Sequence, residues 1–238
     1  MVKKLFFLLV ISQLVACDPA AIQRALDSLG VDELTPVEVS GGLKEALEIG
    51  ISKGSDLLSQ KDGYFKSPYK ILLPPEARKV TDKLHNIPGF SNVENVVLEK
   101  INRGAEEAAK KAKPIFVSAI KQMTFTDAMG ILMGPDTSAT NYLHKTTFNP
   151  LYSEFNPVIV ESLDKFNARS YWRDAVNAYN KIPFIEKANP DLDDYVTNEA
   201  LKGLFGMVAK EEKNIRTNVG ARTTDLLKKV FKKQDKER

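Results

Sequence analysis

Along most of the chain, apolar residues recur at intervals of three and four. Val93, Val97, Ile101, Ala105, Ala108 and Ala112 form one such stripe, and Leu201, Leu204, Phe205, Val208, Ile215 and Val219 form another. This period puts the apolar positions on one face of an α-helix. Separate signals mark where helices start. Asp18-Pro19, Thr35-Pro36, Asn149-Pro150, Asn156-Pro157 and Asn189-Pro190 each join a capping side chain to a proline whose missing N–H costs nothing in a first helical turn. Thr35 with Glu38, and Ser91 with Glu94, have the spacing in which a cap and the third helical residue satisfy each other's backbone donors.

The pattern predicts helices over 19–29, 36–60, 75–86, 92–122 with a bend at Pro114, 126–133, 137–146, 150–166, 169–181, 192–217 and 222–233. Between them lie short loops at Asp62-Gly63, Pro74-Pro75, Pro88-Gly89, Gly134-Pro135 and Ile182-Pro183. Only "YKILL", residues 69–73, reads as a strand, and one short strand has nothing to pair with. The expected fold class is all-α: a multi-helix single domain after an N-terminal signal peptide. The last helix is expected to be amphipathic, with Leu226, Leu227, Val230 and Phe231 docking it on the body and Lys228, Lys229, Lys232 and Lys233 between them, contact of those lysines with anionic lipid being the alternative.

The N-terminus breaks the pattern. Lys3 and Lys4 precede the apolar run "LFFLLVI", which is too short to cross a bilayer and has the layout of a secretory signal. The run leads to Leu14-Val15-Ala16-Cys17, which resembles the bacterial lipobox, and Cys17 is the only cysteine in 238 residues. The plainer alternative is a buried free cysteine behind an uncleaved helix. A lipobox implies a signal peptide over 1–16, a lipidated Cys17 opening a short tether over 17–34, and a helical domain over 35–238. Several acyl chains on one residue anchor a protein stably to a membrane that it does not span. The expected place is the bacterial cell envelope, facing the periplasm. Asp18 resembles an inner-membrane retention signal and is equally a good helix N-cap before Pro19, so the choice of membrane stays open.

Loss of residues 1–16 takes Lys3 and Lys4 with it, which lowers the formal net charge from +3 to +1. Residues 228–238 hold six basic and two acidic groups, so the rest of the mature body is net acidic. That balance gives no reason to expect nucleic-acid binding.

Several strings resemble the bacterial family known as domain of unknown function 4197. They are "GLKEAL" at 42–47, "KDGYF" at 61–65, "INRGAEEAAKKAKPIFVSAIKQMT" at 101–124, "YVTNEALKGLF" at 195–205, "EEKNIR" at 211–216 and "RTTDLLKKVF" at 222–231. The similarity covers about residues 40 to 232. What the resemblance implies is an exported helical envelope protein; it transfers no catalytic residue.

Chemistry must be sought in the residues themselves. "GISKG", residues 50–54, matches the G-x-S-x-G of a nucleophile elbow, but that motif needs a strand before the serine. Here a helical stripe of Leu43, Ala46, Leu47, Leu57 and Leu58 runs through it, so Gly50 and Gly54 read as a place where another helix comes close. His85 and His144 are the only histidines and have no metal-binding partners at a recognised spacing. No metal site, phosphate loop or cofactor is expected. The aromatics Phe148, Phe155, Phe166, Tyr171, Trp172 and Tyr179 fit core packing, with a hydrophobic ligand cavity as the sharper alternative.

The candidate polar site is Asn102, Glu106, Glu212 and Arg216. Glu212 interrupts an apolar stripe with Arg216 four residues on, and Asn102 and Glu106, also four apart, could meet them if the two helices pack. Its alternatives are a structural ion pair and part of a pocket. Two functions follow: a non-enzymatic lipoprotein that binds a partner protein or apolar ligand, or a carboxylate-based envelope hydrolase built from acids such as Glu106, Asp127, Glu211 and Glu212.

Overall fold

Nine α-helices and one 3-10 turn make up the regular structure of the described residues, which are 34–165, 167–189 and 191–237 of a computed structural model. No strand occurs among them, as the all-α expectation requires. The helices are α1 (Pro36–Leu58), α2 (Pro75–Leu84), α3 (Val93–Ala109), α4 (Ala112–Gln122) and α5 (Phe125–Leu132). They continue with α6 (Ser138–Lys165), α7 (Ala168–Asn180), α8 (Asp193–Thr217) and, after the 3-10 turn Val219–Ala221, α9 (Asp225–Glu237). Cys17 and the helix expected over 19–29 lie outside the described residues.

α6 packs between α3 and α8, and α8 packs also on α1. α4, α5 and α9 cover α1, while α7 covers α3 and α2 covers α7. The core contains Leu43, Ile101, Phe116, Phe155, Trp172 and Leu204, all nearly inaccessible. α9 docks as expected, with Leu227, Val230 and Phe231 buried. The reading of Gly50 and Gly54 also holds. A Cβ on Gly54 would meet Met207 Cγ at 2.8 Å and one on Gly50 would meet Glu211 Cβ at 3.3 Å, so both glycines let α8 lie close on α1. Ser52 therefore sits inside a continuous helix and on no elbow.

Four local expectations need correction. The helices expected over 137–146 and 150–166 are one, α6, with Pro150 and Pro157 inside it. Each proline removes a hydrogen bond and costs about 3 kcal/mol in a helix interior. Both prolines are exposed, and so are Thr146 and Ser153, whose carbonyls lose their partners where water can replace them. The buried stripe Leu151, Phe155, Ile159 and Leu163 keeps the helix continuous.

The helix expected over 92–122 is broken at Lys110 and Lys111 rather than bent at Pro114. A proline clashes with the carbonyl four residues before it, and that residue is Lys110. The capping box expected at Ser91 and Glu94 does not form, since Asn92 is the N-cap and makes no side-chain cap bond. A box forms instead at Thr124 and Asp127.

"YKILL" is not a strand. Tyr69 is half-buried and Ile71 and Leu73 are buried, with exposed residues between, which gives the segment its alternation. The partner for its backbone is a side chain: Ile71 N–H donates to Asn102 Oδ1 at 2.8 Å, and Asn102 Nδ2 donates to the Ile71 carbonyl at 2.9 Å.

Candidate functional site

Glu212 lies in the penultimate turn of α8, where the apolar stripe turns it inward, and it is 6% exposed. One carboxylate oxygen accepts the Ala139 N–H at 2.9 Å and the other accepts the Thr140 N–H at 2.8 Å and the Thr140 hydroxyl at 2.7 Å. Those N–H groups belong to the first turn of α6, which has no acceptors of its own to satisfy them and carries the positive end of the helix dipole. Arg216, one turn later and 2% exposed, donates to Glu212 Oε1 through Nε at 3.0 Å and Nη2 at 2.9 Å. Its guanidinium also donates to the carbonyls of Ile131 at 2.7 Å and Leu132 at 3.1 Å, which end α5. The pair on α8 thus caps the end of one helix and the start of the next, locking the α5–α6 turn.

Arg222 continues the same logic. It donates to the carbonyls of Ile215 at 3.0 Å and Arg216 at 2.9 Å in the last turns of α8. Its two outer nitrogens hold Asp235 of α9 in a bidentate pair at 2.6 and 2.9 Å.

Asn102 and Glu106 form a second centre on α3. Glu106 Oε1 accepts the Tyr64 and Phe65 N–H groups, each at 3.2 Å, and Oε2 accepts Arg103 Nη1 at 2.8 Å. Arg103 also reaches Asp62 at 2.8 Å, and its guanidinium lies 5.1 Å from the centre of the Phe65 ring. Asp62 has a φ of 71°, in the left-handed region that a short polar side chain tolerates best. Gly63 next to it admits no Cβ, which would press on the Leu57 carbonyl and meet Leu58 O at 2.6 Å. Tyr64 is fully buried and donates its hydroxyl to the Ala200 carbonyl at 2.7 Å.

The hydrogen bond from Arg103 holds the Asp62 carboxyl below its ordinary range. Burial works against the charge of Arg103, but the hydrogen bonds to Glu106 and Asp62 outweigh it and hold the guanidinium firmly protonated. Burial pushes the Tyr64 phenol far up, so it stays a donor.

The four residues of the candidate polar site therefore form two centres, not one. α3 and α8 do pack, yet Asn102 and Glu106 bond the 62–71 segment while Glu212 and Arg216 bond the α5–α6 turn. The other acids considered are engaged too. Glu211 pairs with Lys53 at 3.0 Å. Asp127 accepts from the Thr124 hydroxyl at 2.7 Å and the Thr124 N–H at 2.9 Å, which keep its carboxyl below its ordinary range. A cavity of about 20 Å³ touches Glu211, Glu212 and Arg216, with room for about one water.

His85 is exposed at the end of α2, and exposed His144 packs in a tilted arrangement against Phe205 and Phe148 at centroid distances of 4.7 and 5.0 Å. No cluster of three metal-ligating side chains occurs among the described residues. Phe155, Trp172 and Tyr179 are core, Phe148 and Tyr171 are half-buried, and Phe166 lies outside the described residues.

Sequence reasoning missed Asp62, Arg103, Thr140 and Arg222. Arg103 could have been found from its spacing to Glu106, the i,i+3 distance at which acid and base meet on a helix. Thr140 could not, because it lies 72 residues from Glu212.

The model of the family described as "Protein of unknown function (DUF4197)" matches residues 33–232 of the chain. No curated protein and no solved structure matches it.

Proposed function

The chain belongs to the DUF4197 family of proteins of unknown function, and from that premise we propose that it is a lipid-anchored protein of the bacterial cell envelope. On this reading it binds a partner protein or an apolar ligand at the membrane surface and performs no catalysis. The anchor rests on Leu14-Val15-Ala16-Cys17 behind its basic and apolar run. No described helix is long and apolar enough to cross a membrane. On this reading, acyl chains at Cys17 supply the attachment.

The observation that carries the binding role is what the buried acids do. Glu106 and Glu212 each use both carboxylate oxygens to hold backbone N–H groups or an arginine. A general acid or nucleophile must instead be free to exchange a proton or attack a substrate.

The test is metabolic labelling with a fatty-acid analogue in a bacterial host, followed by in-cell crosslinking of the labelled protein. Label on the wild type and none on Cys17→Ala is the expected result, with crosslinks to an envelope protein or lipid. Label that persists on Cys17→Ala, or crosslinks to cytoplasmic proteins alone, would overturn the reading.

A further inference from the structure

Between α2, α7 and the start of α8 lies a cleft of about 380 Å³, within the roughly 300–1,000 Å³ of small-molecule sites. Its floor is apolar: Ala77, Trp172, Tyr179 and Leu192 are all buried. Trp172 is 1% exposed, and its indole N–H makes no hydrogen bond among the described residues. A buried donor without an acceptor destabilises a fold, and an acceptor oxygen brought by a ligand removes that penalty.

The outer wall is a strap that leaves the end of α7 and includes Glu186, Lys187, Ala188 and Asn189. Its base is fixed by Asn180, whose side chain bonds both backbone groups of Ala188 at 2.9 and 3.1 Å. Its outer edge is tied to α2 by Lys79 and Glu186 at 3.5 Å, a pair with both side chains well exposed, and such pairs hold weakly. Phe184 in the strap is fully exposed with a φ of 60°, a left-handed conformation unfavourable for a bulky residue. A strap fixed at its base and loosely held at its edge can yield to a ligand and uncover the indole behind it.

The rim decides the charge of that ligand. Glu76, Glu186 and Asp191 face Lys79 and Lys187, three carboxylates against two lysines. Lys187 already donates to the Asn180 carbonyl and Lys79 to Glu186. An anionic ligand would meet net negative charge.

We propose that this cleft binds a neutral acyl compound, an ester or amide whose chain lies on the apolar floor and whose carbonyl oxygen accepts the Trp172 N–H. The proposal rests on reading the protein as a binder of an apolar ligand, and it is independent of lipidation at Cys17.

Trp172 is the only tryptophan in the chain, so its emission reports directly on the cleft. The chain from Cys17 onwards, produced without acylation, is titrated with methyl octanoate and with octanoate. Methyl octanoate is expected to shift the emission saturably, octanoate to bind at least about tenfold more weakly, and Glu76→Gln to narrow that difference. Trp172→Phe loses the donor and part of the buried ring, so it is expected to unfold at a lower Tm because of the cavity it leaves. Its affinity for methyl octanoate is expected to fall roughly three- to tenfold by equilibrium dialysis.

No saturable shift with methyl octanoate, or equal affinity for octanoate, would overturn the proposal. So would a folded Trp172→Phe variant that keeps the wild-type affinity, since the N–H would then make no bond to the ligand. Acyl labelling at Cys17 and the crosslinking result stand apart from all of these outcomes.

Discussion

Asn102 shows how much of this fold rests on single polar side chains. Its amide accepts one backbone N–H and donates to two carbonyls, those of Ile71 and Leu98, with no exposure to solvent. In Asn102→Ala both backbone groups of Ile71 lose their partner in the core. An unsatisfied buried group costs about 1–3 kcal/mol, so urea unfolding is expected to show a loss of about 2–4 kcal/mol. Asp62 adds a pH dependence. Because Arg103 holds its folded pKa below the ordinary value of 3.8, its stabilisation is fully present above that value and is lost as pH falls through the lower folded pKa. Acid unfolding of Asp62→Asn should therefore be less steep below pH 3.8 than that of the wild type. The ion pair of Glu212 and Arg216 was legible from their spacing of four. Their backbone partners were not, because a sequence does not reveal which distant helix end a buried carboxylate will face.

Among the elements, α6 shows where local signals stop. An asparagine followed by proline reads the same at a helix start and within a helix whose proline side faces water. What separates the two cases is tertiary burial, here of Leu151, Phe155, Ile159 and Leu163, and that is not a local property. Pro150→Ala restores a helical N–H beside the Thr146 carbonyl and removes a ring clash. Thermal unfolding is expected to show a gain of about 1–2 kcal/mol, less than the full helix-propensity difference because proline also restricts the unfolded chain. The strand-like reading of 69–73 failed for a related reason. Alternating burial identifies an extended segment that lies half in a core, and a side chain can supply the hydrogen bonds that a second strand would otherwise give. By contrast, the long amphipathic helices α1 and α8 were legible almost to their ends, since an apolar stripe fixes each of them, whereas the stripe of α3 ran on into α4 and hid the break between them.

At the scale of the molecule, the strings that resemble the family converge on the joints between helices. "KDGYF" and the start of "INRGAEEAAKK" meet at Glu106. "EEKNIR" supplies Glu212 and Arg216 to the α5–α6 turn, and "RTTDLLKKVF" opens with the arginine that closes α8. Helix ends buried inside a bundle need partners for their free N–H and C=O groups, and here α8 provides them for two neighbours at once. The joint and its charges therefore hold helix ends together, and the binding proposed above would fall to surfaces such as the cleft beside Trp172. Equilibrium urea unfolding of Glu212→Ala tests this most directly. Removing one member of a buried, hydrogen-bonded pair is expected to lower stability by about 3–5 kcal/mol, with the m-value unchanged. A Glu212→Ala protein within about 0.5 kcal/mol of the wild type would contradict it, and would mean that this carboxylate is kept for something other than holding α5, α6 and α8 together.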